Sequence, residues 1–216
     1  MDKVEQVKKI VATFLRVKED GVDNDTEIST RTIKGSSIML HRMYAAISRE
    51  LKCDAVSDRK ANTFGELLAL YGLQDQKSGM TMRSQSQEHV GKMPEVAILP
   101  SNNISIGIDL EDIEKIPRVK DCYKDEFYRQ NFSEKEISYC LAQPDPWQSF
   151  AGRFAAKEAI VKADNLYREY SFAQIEIEQD KSGKPYFRNF VLSISHNEKY
   201  AVAVAVTLYS SNGLKV

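Results

Sequence analysis

The chain has 216 residues, a formal net charge of −1 and a hydrophobic content of 42%. This length is sufficient for two small domains, each with its own core. A charge near zero gives no electrostatic basis for binding nucleic acid or a membrane surface. No apolar run approaches the roughly 20 residues that a membrane-spanning helix needs. The three cysteines form no CxxC pair and no secretory signal stands at the start, so we expect reduced thiols in a cytoplasmic protein.

The first third of the chain has the apolar spacing of helices. Residues Val4 to Leu15 and Ser37 to Leu51 each carry apolar side chains at intervals of three and four, which predicts two amphipathic helices. A third, short helix is predicted from Thr63 to Tyr71, because Gly72 follows it as a helix-ending residue. These segments predict a small all-helical domain over residues 1–73.

A polar segment and then a mixed pattern follow. Residues 74–95 are rich in Gln and Ser and lack periodicity, which predicts a linker, or alternatively an irregular loop packed on one domain. Residues 96–216 alternate between strand and helix patterns and predict an α+β domain. Strands are expected at 104–110, near 175–177, at 191–195 and at 200–208, and helical segments around 112–120, 133–140 and 149–163.

Asp109 is unusual in its predicted strand. It lies with Ser105 and Gly107 on the face opposite four aliphatic residues. Aspartate is disfavoured inside a strand, so its presence indicates either a functional carboxylate or a residue that caps the next helix.

The predicted helix from Phe150 to Ala163 carries charge beside its apolar stripe. Lys157 falls within the stripe, and Arg153 and Glu158 flank it. Charges at a buried margin need partners, because desolvating them alone is costly. A surface pair between Glu158 and Lys162 would contribute only about 0.2–0.5 kcal/mol. A phosphate-rich ligand with a metal ion would instead account for all four charged side chains together.

Four motifs occur in an order typical of one enzyme family. They are GIDL at 107–110, RFAAKEAIVKA at 153–163, SGKPY at 182–186 and SISH at 193–196. Taken singly, a lysine in a turn and a histidine at a strand end are weak signals. In this order, residues 97–208 closely resemble the short phosphopantetheinyl transferases of the holo-acyl-carrier-protein synthase type. The resemblance implies transfer of 4′-phosphopantetheine from coenzyme A to a carrier serine, whether of a fatty-acid or a polyketide carrier.

The resemblance also implies roles for individual residues. Asp109 and Glu158 match the family's Mg²⁺ ligands, and Lys162 joins them as a catalytic residue. The coenzyme A site is matched by six residues: Arg153, Lys157, Lys162, Lys184, Pro185 and His196. Three basic residues match the surface that docks the carrier: Lys115, Arg118 and Lys120. The family implies a homotrimer with shared sites, although the segment between the GKP turn and SISH is shorter here than is usual.

The helical domain resembles an acyl carrier protein, a four-helix bundle whose acceptor serine begins the second helix. Matching Ile38, Met43, Ile47 and Leu51 to the family's core positions makes Ser37 the phosphopantetheine attachment residue. The second helix of carriers is usually acidic, whereas this one carries His41, Arg42, Arg49 and Lys52 against Glu50. The alternative is a degenerate carrier fold that serves only for docking.

Three functions are compatible with the sequence. The chain is expected to be a carrier-modifying transferase. A non-catalytic docking protein on a transferase-derived scaffold is one alternative. A carrier that is modified by its own attached transferase is another.

Overall fold

The structure is a computed structural model that describes residues 2–33, 37–53, 61–73 and 104–208. The predicted linker, 74–95, lies outside these ranges. Within the described residues, none of the helices is both long and apolar enough to cross a membrane. Cys53 is exposed, Cys122 and Cys140 are buried, and none of these three described residues is in a disulfide.

The predicted helices of the N-terminal third are present. Helix α1 spans Lys3–Leu15, α2 spans Ser37–Leu51 and α3 spans Phe64–Leu70. The Asp2 side chain caps α1, and the Thr63 side chain accepts from the Glu66 N–H to cap α3. Their buried apolar side chains form one cluster, which includes Val7, Val11, Met43, Tyr44, Ile47, Phe64 and Leu67.

The C-terminal part is built on one antiparallel sheet of five strands. The strands are β1 (Ile104–Asp112), β2 (Glu178–Gln179), β3 (Pro185–Phe187), β4 (Phe190–His196) and β5 (Tyr200–Leu208). They lie in the order β1-β5-β4-β3-β2. The mixed helix-and-sheet architecture confirms the predicted α+β class.

The helices of this part are α4 (Glu126–Asn131), α5 (Glu134–Leu141) and α6 (Pro146–Ala163). Helix α6 packs on one face of the sheet, against β1, β4 and β5, and α4 and α5 pack on α6. The close approach of α6 to β1 depends on Gly107, where a Cβ atom would lie 1.9 Å from the Ala159 carbonyl oxygen. No side chain fits there, so β1 and α6 touch backbone to backbone.

Several local predictions differ from the structure. The segment 112–120 is not a helix beyond a short 3-10 turn at Ile113–Lys115, since Pro117 follows that turn at once and excludes an extended helix. Ile175 and Ile177 are buried outside any strand. Helix α4 had no predicted counterpart, because its six residues are too few to show a helical period.

Strand β1 exposes its apolar face and buries its polar face, which is the reverse of the usual arrangement in a sheet. Its small and acidic residues face α6, whereas Ile104, Ile106, Ile108 and Leu110 are 54–64% exposed. Val202, Val204 and Val206 of β5 pair with the same outer face. The sheet therefore presents a continuous aliphatic surface to solvent, which is typical of an interaction site.

Helix α2 joins the N-terminal helices to the C-terminal core. Met43, Tyr44 and Ile47 pack into the N-terminal cluster, but Ile38 and Ala45 belong to the cluster that includes Phe127 and Phe154. The helix is thus buried on two faces. The expectation that Ile38 packs inside a carrier bundle is wrong, because a second apolar surface covers this end of the helix.

Candidate active site

Asp109 and Lys162 meet where β1 crosses the end of α6. The Lys162 Nζ donates to Asp109 Oδ1 at 2.6 Å and to the Ile108 carbonyl at 3.3 Å. The Asp109 side chain is 7% exposed and that of Lys162 is 51% exposed, so the pair lies at the rim of the domain. The Ser105 hydroxyl donates to the Ala163 carbonyl, and this bond joins β1 to the C-terminal end of α6.

Glu158 and Lys162 line a cavity of about 330 Å³ between α6 and the N-terminal helices. Val161, Asn165 and Arg168 complete the C-terminal wall, and Ser37, Leu40, His41 and residues 28–30 and 61–62 form the other wall. Glu158 is only 6% exposed. The cavity therefore brings the predicted acceptor serine to the same space as a predicted metal ligand and two cationic side chains.

His41 connects the two walls. Its Nε2 lies 3.9 Å from Glu158 Oε1, and its Nδ1 forms a hydrogen bond with Asn131 Oδ1. The ring packs edge-on against Phe154 and at a tilt against Phe172, with centroids 4.9 and 4.7 Å away.

Lys157 has a different place from the one that the sequence predicts. It is 0% exposed, and its ammonium donates to Asn131 O at 2.8 Å, Glu136 Oε2 at 2.6 Å and Phe172 O at 2.8 Å. Burial lowers the pKa of Lys157, and the Glu136 carboxylate opposes that shift. Because an ammonium has three donors, these contacts leave none for a phosphate. We therefore reassign Lys157 from ligand binding to the core.

Arg153 is also turned away from Glu158. It is 5% exposed, donates to the Ile177 carbonyl at 2.9 Å and stacks over Tyr139 with 4.1 Å to the ring centroid. It lines a separate cavity of about 230 Å³ with Glu136, Tyr139 and residues 176–179. The predicted grouping of Arg153 with Glu158 and Lys162 does not occur within one chain.

Comparison with known proteins shows the family to which the chain belongs. Residues 105–205 match the ACPS 4′-phosphopantetheinyl transferase superfamily. A holo-[acyl-carrier-protein] synthase from Chloroherpeton thalassium is 38% identical in an alignment of length 116 that covers 48% of this chain and 96% of that protein. The chain belongs to the 4′-phosphopantetheinyl transferases of the holo-acyl-carrier-protein synthase type.

Two further comparisons are with a sequence relative and with a solved structure. The holo-[acyl-carrier-protein] synthase from Halothermothrix orenii is 33% identical, over 47% of this chain and 94% of that protein. Among solved structures, a Bacillus anthracis holo-(acyl-carrier-protein) synthase in complex with CoA has 34% identity and a TM-score of 0.39, covering 47% of this chain and 93% of that one.

The other transferase residues lie away from the Asp109–Glu158 region. Lys184 and Pro185 line a cavity beside the β2–β3 hairpin, across the sheet from β1. His196 ends β4 beside Ala201 of β5, and the next residue, Asn197, accepts from Gln148 near the start of α6. Since Lys162 is near the end of that 18-residue helix, one chain does not bring His196 to Lys162.

The three predicted docking residues have varied surroundings. The backbone carbonyl of Lys115 accepts from Arg42 of α2 at 3.2 Å. The Arg118 guanidinium lies 5.9 Å from the Trp147 ring centroid, and Lys120 is exposed. Of the three, Lys115 contacts α2 through its backbone carbonyl.

Sequence reasoning missed three residues of this region. Arg168 follows the RFAAKEAIVKA motif without a pattern of its own. Asn131 lies in the unpredicted helix α4. His41 was noted only as part of a basic helix, although its place four residues after Ser37 puts both on one helical face.

The burial of Lys157 against Glu136 predicts that this lysine stabilises the fold. We expect Lys157→Met to lower the free energy of unfolding by about 3–5 kcal/mol, because Glu136 would remain buried without its cation. Denaturant unfolding measures this change. The matched control is Lys135→Met, whose partner Glu176 forms an exposed pair, and it should leave stability almost unchanged. A stable Lys157→Met protein with a raised KM for coenzyme A would contradict the core assignment.

Proposed function

We propose that this chain transfers 4′-phosphopantetheine from coenzyme A to a serine of an acyl carrier protein in an Mg²⁺-dependent reaction. The observation that carries the proposal is the cavity at which Glu158 and Lys162 meet Ser37, with Asp109 bound to Lys162 at its edge. The printed names of the family relatives describe the same activity for those proteins. A purely non-catalytic docking protein is not favoured, since Asp109, Glu158 and Lys162, to which we assign the reaction, lie together at this cavity and its edge.

The donor set fits Mg²⁺. Asp109 and Glu158 supply carboxylate oxygens, and among the described residues no cluster of three or more His, Cys, Asp and Glu side chains forms a complete metal site. Mg²⁺ is commonly held by one or two carboxylates, with phosphate oxygens and water as its other ligands. When bound, the ion would neutralise charge on the diphosphate and on the departing nucleotide.

The protein residues then have defined tasks. The carrier hydroxyl attacks the phosphorus attached to pantetheine, the bond from this phosphorus to 3′,5′-ADP breaks, and the serine proton passes to a base. Lys162 and Arg168 line the cavity and supply positive charge for the phosphates. The protein walls of the cavity keep the acceptor close to these groups.

Removing either carboxylate should stop the reaction without unfolding the protein. We expect Glu158→Gln to reduce transfer by about 100-fold or more, because it removes an anionic ligand and leaves a side chain of the same shape. The assay follows phosphopantetheine transfer from coenzyme A to an added carrier at saturating Mg²⁺, with Asp109→Asn as the parallel variant. Near-wild-type rates in both would exclude this carboxylate pair from the site.

Ser37 is the second element of the proposal. Helix α2 holds it in the wall of the same cavity as Glu158, which favours modification of the chain's own carrier-like domain. An acceptor that is already docked has a high effective concentration, so a weak contact is sufficient.

Modification of Ser37 can be observed directly. We expect apo protein incubated with coenzyme A and Mg²⁺ to gain one phosphopantetheine adduct by intact-mass analysis. The adduct should be absent from Ser37→Ala and present in the neighbouring control Ser36→Ala. An unmodified wild-type chain beside an efficiently modified added carrier would leave the domain as a docking element.

A homotrimer with shared sites is the third element. The aliphatic outer face of β1 and β5 is exposed, and Lys184 and His196 lie far from Lys162 within one chain. A second chain placed against the exposed face could supply these two residues to the site.

A charge on the exposed aliphatic face of β1 and β5 should disrupt the proposed homotrimer. We expect Ile106→Lys to convert trimers to monomers and to lower transfer activity together, because each site would lose residues from its neighbour. Light scattering coupled to gel filtration gives the mass. Val17→Lys alters an aliphatic residue that is 48% exposed on the helical domain and should change neither quantity. A fully active wild-type monomer would refute shared sites.

A further inference from the structure

The surface on which α2 docks presents hydrogen-bond acceptors. Three oxygens of the transferase part face this helix: Glu158 Oε1, Asn131 Oδ1 and the carbonyl of Lys115. Helix α2 meets them with the two ring nitrogens of His41 and the guanidinium of Arg42, whose Nη1 lies 3.2 Å from the Lys115 oxygen. At Asn131 and Lys115 the transferase side supplies the acceptor of a hydrogen bond, and the Glu158 carboxylate lies 3.9 Å from the second ring nitrogen of His41.

The orientation of the Asn131 amide determines which atom donates and which accepts in its hydrogen bond with His41. Its Nδ2 donates to the Phe127 carbonyl at 2.7 Å, so its Oδ1 is the atom that faces His41. An amide oxygen only accepts, hence His41 Nδ1 carries the hydrogen. Turning the amide over would place its donor on His41 and break the bond to Phe127.

The core holds this arrangement rigidly. The buried Lys157 ammonium binds the backbone carbonyls of Asn131 and Phe172, and these are the residues that contact His41 through the amide and the ring. Ile38 and Ala45, on either side of His41 along the helix, are buried in the transferase core. His41 is thus inserted between residues that the buried core holds in place, and it is 7% exposed.

We propose that this docking surface selects carrier helices with hydrogen-bond donors at the fourth and fifth positions after the acceptor serine. The preferred carrier is then the chain's own N-terminal domain, with His41 and Arg42 in these positions, over a carrier with an acidic second helix. This inference rests on the proposed function and names the carrier class that its site accepts.

An acidic helix would meet the surface poorly for a physical reason. A carboxylate at position 41 would face the Glu158 carboxylate and the Asn131 amide oxygen, and one at position 42 would face the Lys115 carbonyl. Like charges and paired acceptors at a buried contact are strongly unfavourable. The basic character of α2 therefore matches this transferase rather than opposing it.

The first experiment compares charge reversals on one helix in the full-length chain. We expect Arg42→Glu to slow Ser37 modification by coenzyme A and Mg²⁺ by about tenfold or more. Arg49→Glu makes the same change on an exposed turn of α2 and should keep the wild-type rate within about twofold. His41→Gln keeps a donor group and should be faster than His41→Glu. Equal effects of Arg42→Glu and Arg49→Glu would overturn the proposal.

The second experiment keeps the test independent of Ser37. An added acyl carrier protein with an acidic second helix is compared with its variant that carries His and Arg four and five residues after its serine. The donor-bearing form should be the better substrate of the full-length chain, with kcat/KM about tenfold higher. Equal values, or a preference for the acidic form, would refute the selectivity even if Ser37 is modified. An unmodified Ser37 with a retained preference would refute the chain's own domain as the preferred carrier, while the selectivity of the surface for donor-bearing helices would stand.

Discussion

The candidate active site depends on the close contact between β1 and α6, which is possible because Gly107 has no side chain. At Gly107, β1 lies so close to α6 that a Cβ atom would be 1.9 Å from the Ala159 oxygen and 2.6 Å from the Ala163 nitrogen. This approach brings Asp109, two residues along the strand, within 2.6 Å of Lys162, one turn along the helix from Glu158. Any larger residue at position 107 would push the strand away, and the carboxylate and the lysine would separate.

A buried cation organises the other side of the same helix. Lys157 ties α6 to the Glu136 side chain and to the carbonyls of Asn131 and Phe172. A desolvated ammonium is tolerated because all three donors are satisfied and one acceptor is charged. Helix α6 therefore has two charged faces with separate tasks, since Lys157 holds the core and the residues around His41 while Glu158 and Lys162 line the cavity.

Much of the architecture could be predicted from the sequence, because helices α1, α2 and α6 and strand β5 carry strong periodic patterns. The ordered motifs also indicated the family correctly. The partners of buried charges could not be predicted in the same way. Lys157 falls within the apolar stripe of its helix, but its partners Glu136 and Phe172 are 21 and 15 residues away in sequence. The periodicity of β1 indicated a strand but did not show which face is buried, since its apolar face is the exposed one.

Helix α2 shows how one amphipathic pattern can serve two surfaces. A carrier helix that docks briefly needs one buried face and can keep an acidic exterior for its partners. Here Met43, Tyr44 and Ile47 pack on the helical domain, and Ile38, His41 and Ala45 pack on the transferase core. With two faces buried, the composition of the helix is set by its contacts with two neighbours. The transferase neighbour offers the oxygens of Asn131 and Lys115, and the residues of α2 that meet them are a histidine and an arginine. The basic charge at this part of α2 therefore matches the surface on which the helix packs.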